Sequence, residues 1–163
     1  MSESVSIRER VLRQLAANLE AVTDVGEVRR WDARAADTPA HGDIVLVAQD
    51  ETAEPGAQGP TGSTIKTLTV AIVVRLFAET ASETTTDSDV NKWLRRIEDA
   101  ALHDPLLVET TSGQRLANDM AATKLIGPAF DEGIVACALV CTIQYEHDRD
   151  DPTVGPGITL LQE

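Results

Sequence analysis

The chain has 163 residues and sets 27 acidic side chains against 14 basic ones, for a net charge of −13. That length favours one domain, and that charge excludes a nucleic-acid binder, which needs clustered Lys and Arg to hold phosphates. No basic stretch followed by an apolar run opens the chain, and its longest apolar run, residues 134–141, is far short of the ~20 residues a membrane helix needs. A cytoplasmic chain with reduced thiols is therefore expected, since two cysteines do not make a disulfide framework.

The first predicted element is a helix over about residues 6–22. Ser6 and Glu9 have capping-box spacing, and Ile7, Val11, Leu15 and Leu19 recur at i, i+4, with Leu12 and Val22 widening the stripe. Two short strands follow, 27–31 and 44–48, separated by a loop over 33–42 that carries Pro39 and Gly42. Residues 50–62 hold Pro55, Gly56, Gly59, Pro60 and Gly62 and read as a loop joining two strands and projecting from the body.

Residues 64–77 form a long strand. Leu68, Val70, Ile72, Val74 and Leu76 make its apolar face, and Thr67, Thr69, Ala71, Val73 and Arg75 its mixed face. After a polar loop at 79–89, a helix starts near Asp87 or Ser88. It carries Val90, Trp93, Leu94, Ile97, Ala100 and Ala101 on one stripe and stops at Asp104–Pro105. Residues 116–130 read as a weaker strand or irregular segment, and 131–133 as a tight turn.

The last strand, 133–145, is longer than the usual 5–6 residues and puts Val135, Cys137, Leu139, Cys141, Ile143 and Tyr145 on the core face. It runs into an acidic knot, and residues 153–163 form a C-terminal extension beyond a domain of residues 1–152. The order predicts an α+β fold: a mixed or antiparallel sheet with two main helices on one face.

Reactive chemistry finds little support. His41, His103 and His147 are scattered, without a second ligand at zinc spacing. Glu146, Asp148, Asp150 and Asp151 invite a calcium reading but lack the glycine and terminal Glu of an EF-hand loop, so a solvated acidic surface is the better reading. Cys137 and Cys141 lie among Val135, Leu139 and Ile143 with no cation to lower their pKa, and read as core fillers. Gly56–Gly62 lacks the lysine of a phosphate loop, and neither G-x-S-x-G nor G-x-G-x-x-G occurs. A protein that is not an enzyme and has no cofactor or metal is expected. Trp93 lies on the apolar stripe, whereas Trp31, beside Arg29 and Arg30 near a strand end, is the aromatic suited to an interface.

The opening SIRERVLRQLAANL, the strand LTVAIVV, the helix VNKWLRRIEDAALHDP and the long strand closing on YEHDRDDP have a layout that resembles the tail terminator (tail completion, or minor tail) proteins of long-tailed bacteriophages. The resemblance spans about residues 6–152. It implies a virion protein, assembled in the host cytoplasm, that forms a ring, commonly a hexamer, on the last ring of the tail tube. Such a ring halts tube polymerisation and offers a surface to the head–tail connector or stopper, while DNA passes its lumen without specific binding.

On this reading the working parts are surfaces: Trp31; Glu54, Gln58 and Thr61 in the 50–64 loop; Thr85 in the 79–89 loop; and Glu146, Asp148, Arg149, Asp150, Asp151, Ile158, Leu160 and Leu161 at the C-terminal end. Another neck component is the neighbouring alternative. A small cytoplasmic regulatory domain binding a ligand or cation is the rival from a different class.

Overall fold

Two helices and five strands follow in the order α1 (Ile7–Leu19), β1 (Val28–Arg30), β2 (Asp43–Gly56), β3 (Ser63–Phe77), α2 (Asp87–Leu102), β4 (Ala117–Asp131) and β5 (Ile134–Asp148). The structure is a computed structural model and describes residues 4–31, 40–57 and 62–155. Gln58, Thr61, Ile158, Leu160 and Leu161, and most of the loop expected at 33–42, lie outside the described residues.

The strands form one mixed sheet in the order β1-β2-β3-β5-β4. β1 pairs parallel to β2, and all other neighbours are antiparallel. Both helices pack on one face of this sheet, so the expected α+β class and helix placement hold.

Local chemistry explains the helices. The Ser6 side chain accepts from the Glu9 amide at 3.2 Å. The expected reciprocal half of the box is absent, because the Glu9 carboxylate pairs with Arg13 and Arg30 instead. A full capping box forms at α2, where Thr86 accepts from the Asp89 amide and the Asp89 carboxylate accepts from Thr86. α2 ends at Leu102 with His103 as its C-cap, two residues before the stop expected at Asp104–Pro105.

The core is aliphatic. Ile7, Val11, Leu12, Leu15 and Leu19 of α1 and Val90, Trp93, Leu94, Ile97 and Ala101 of α2 cover the apolar faces of β3 and β5, together with Ile44, Leu46 and Met120. Each fully buried aliphatic side chain of this kind contributes roughly 1.5–3 kcal/mol. Every position assigned to the core face of the last strand is buried.

Three expectations need correction. Residues 50–56 are the second half of β2, paired with β3 up to Gly56–Ser63, and not a projecting loop. The weak segment at 116–130 is a full strand of fifteen residues. Its connection to β5 is a two-residue turn of Glu132 (φ 47°) and Gly133 (φ 81°), the type I′ pattern that suits the twist of a hairpin. The last strand also runs further than expected, to Asp148.

Candidate assembly surface

Among the described residues the helices occupy one side of the sheet and leave the other to side chains of the strands. On that second face, cross-strand register builds two rungs spanning four strands. One is Val45–Val73–Ala138–Ile126, and the next is Val47–Ala71–Val140–Lys124. Residues directly opposite share a face, so a band of small and branched apolar groups runs the width of the sheet. Val45, Val47 and Val73 in it are half-buried.

The apolar band ends in β4, the edge strand. Leu125 pairs with Leu139 and Phe130 with Val135, which puts both on the helix side. Yet Leu125 is 56% and Phe130 75% exposed, although Glu98 of α2 borders Leu125. Ile126 is exposed on the opposite face. Three register irregularities, after Ala117, Ala122 and Ile126, and Pro128 interrupt this strand. Such breaks are how free edges are kept from indiscriminate pairing.

At the other margin, β1 covers β2 only from Ile44 to Leu46, and the Trp31 amide extends this by one bond to the Leu46 carbonyl. From Ala48 to Gly56 the outer edge of β2 has no strand partner among the described residues. Trp31 is 67% exposed where the cover stops, against Leu12, Leu46, Val47 and Ala48. Glu54 lies exposed on this free half of β2.

The remaining candidates divide sharply. Thr85 is tied down: its hydroxyl donates to the Phe77 carbonyl at 2.6 Å and its amide to that of Ala78 at 2.8 Å. Glu146 is buried, its carboxylate accepting from the Ser63 hydroxyl and, at 3.2 Å, from the Asn118 amide, so it braces β3 and the start of β4.

Asp148, Asp150 and Asp151 are held in a tight turn. The Asp148 carboxylate accepts from the Asp150 amide at 2.9 Å, and that of Asp151 from the amide and hydroxyl of Thr153. Those Thr153 bonds hold the Asp151 carboxyl below its ordinary range. The Arg149 amide donates to the Gly62 carbonyl, and the Pro152 carbonyl accepts from the Ile7 amide, one of the unpaired donors at the start of α1. The knot thus joins the end of β5 to the first turn of α1. Among the described residues no group of three or more His, Cys, Asp or Glu is placed to hold a metal ion.

Other polar clusters have structural partners. Asp43 is fully buried; burial raises its carboxyl, but the Ala40 and Glu27 amides and the charges of Arg75 and Arg29 outweigh this and hold it below the ordinary range. Arg10 donates twice to Glu109, which lowers that carboxyl to about 2. The Cys137 and Cys141 thiols are pushed up to about 11 by burial, out of the range of a reactive thiolate at neutral pH. A cleft of about 290 Å³ beside the start of α2 is lined by His41, Trp93, Lys92, Arg96 and acids. His41 there accepts from the Phe77 amide through Nδ1 at 3.0 Å, which fixes its ring.

Residue reading alone did not single out Leu125, Ile126 or Phe130. The available signal was three large apolar side chains around a Gly–Pro pair in a segment too irregular for a core strand.

No family model and no curated protein sequence matches this chain. Among solved structures it is similar to a chain from the virion of a native gene transfer agent (GTA) particle, with 10% identity, 86% of this chain and 95% of that chain covered, and a TM-score of 0.45. A superposition that loose says nothing about role.

Proposed function

We propose that this chain is a non-enzymatic assembly protein of a phage-type virion, a tail terminator that forms a ring on the head-proximal end of the tail tube. The observation that carries the reading is the uncovered apolar edge of β4, with Leu125, Ile126 and Phe130 exposed on a fifteen-residue strand. An apolar strand edge left open is a template for further pairing, and proteins that keep one either protect it or use it in assembly. Three further features support the same reading. Among the described residues no helix packs on the second face of the sheet. The candidate reactive groups are engaged in structural bonds or buried as neutral thiols. The net charge of −13 suits a lumen through which DNA passes without adhering.

In this role the ring caps the last tube ring, stops its growth, and presents its other side to the head connector or stopper. The test is to add the purified chain to tail tube protein during tube assembly and measure tube length. Tubes that shorten with added chain, carrying it at one end, support the reading. Tubes of unchanged length that carry none of it contradict it.

A further inference from the structure

Among the described residues the sheet has two free margins, and their geometry is complementary. β2 and β5 run in one direction, and β3 and β4 in the other. If a second copy continues the sheet in the same orientation, its β2 lies antiparallel to the first copy's β4. That preserves the alternation and gives the more stable ladder type. The free part of β2, Ala48–Gly56, offers nine residues to the fifteen of β4.

Charge points to the same pairing. Lys124, at the middle of β4, has no ion pair among the described residues, and neither do Asp50 and Glu54 on the free half of β2. Two β2 edges set against each other would bring the acids Asp50 and Glu54 against like charges, whereas Glu51 is already held by Arg8, Lys66 and Tyr145.

We infer that the free edge of β2 in one copy pairs antiparallel with β4 of the next, so that a single sheet runs through successive copies and Lys124 meets the acidic segment 50–54. This deepens the ring reading above and rests on it. The contact is heterologous, joining two different patches, and such contacts generate rings when the rotation closes. Closing a sheet tilts its strands by about 35–45°, and four strands lie about 4.8 Å apart, so successive copies slip by roughly four to six residues. Lys124 shares a rung with Val47, so a slip toward the free half of β2 brings it opposite the stretch from Glu51 to Ala53, whereas the reverse slip would carry it to the end of β2 that β1 flanks.

The test uses the full chain with Thr52→Cys and Lys124→Cys together, treated with a short bis-maleimide after its mass in solution is measured. The native cysteines are buried and do not compete. The pair Ala53→Cys with Thr123→Cys, which keeps Lys124, covers the case in which loss of that charge prevents assembly. A covalent ladder extending to the full oligomer, absent from every single-cysteine variant, is the expected result. A ring-sized mass without a ladder from either pair overturns the edge pairing and leaves the ring reading standing. A monomeric mass for the unmodified chain overturns both. Dimers from a single-cysteine variant show like edges meeting, which also overturns the pairing.

Discussion

β4 and β5 have the same length and lie hydrogen-bonded side by side, yet they live in different environments. Leu139 of β5 is 1% exposed, while Leu125, its direct partner on β4 and on the same face, is 56% exposed. Leu139 belongs to the core beneath the helix layer, and Leu125 stands at the margin of that roof, beside Glu98 of α2 but largely open. Identical residues in the same ladder therefore do different things: Leu139 holds the fold together, and Leu125 contributes little to it and stays open for the assembly role proposed above.

The comparison breaks most visibly when the buried side of the rung is truncated. Leu139→Ala should cost about 2–5 kcal/mol, the range for removing a buried leucine side chain, read as a fall in the urea midpoint. Leu125→Ala should stay within about 0.5 kcal/mol of the parent, as surface substitutions do. Equal losses at the two positions would erase the distinction between roofed and unroofed strand.

A buried polar anchor on the second face comes next. Asp43→Ala removes the buried carboxylate that Arg75 and Arg29 share and strips acceptors from two backbone amides, so a loss of about 3 kcal/mol is expected by chemical denaturation.

Acid should then act through Glu109. Its folded pKa of about 2 lies below its ordinary 4.5, so its stabilising contribution is present in full above pH 4.5 and fades as pH falls towards 2. Its partial exposure limits this to about 1–2 kcal/mol. Denaturation midpoints of Glu109→Gln against the parent across that window should converge at the acid end. A constant gap down to pH 2 would contradict the pairing with Arg10.

The smallest effect expected on the roofing helices themselves is at the α2 cap. Thr86→Ala removes the hydroxyl that accepts from the Asp89 amide, leaves the backbone half of the capping box in place, and should cost about 1 kcal/mol, with helix content by circular dichroism otherwise retained.

The sequence makes the roofed half of the molecule plain and hides the other. Ile7, Val11, Leu15 and Leu19 follow the helical period, and Leu68 to Leu76 follow period two, because each faces one continuous apolar layer. β4 loses that regularity through its bulges, Gly127 and Pro128, and through alanines that fit either surface. The second half of β2 reads as a loop because both its faces are wet and nothing selects apolar residues there. Pro55 is tolerated in it because an edge strand need not donate every amide. Glu146 looks like part of an exposed acidic run, since its partners Ser63 and Asn118 are 83 and 28 residues away and only the sheet register brings them together.

The central claim is that the unroofed edge exists for assembly. It is tested most directly by the solution mass of the purified chain over a concentration series, alone and with tail tube protein, beside a Leu125→Asp/Phe130→Asp variant. The account predicts one closed oligomer for the parent, and a monomer for the variant with an unchanged urea midpoint. A parent that stays monomeric at every concentration, with and without tail tube protein, would contradict it.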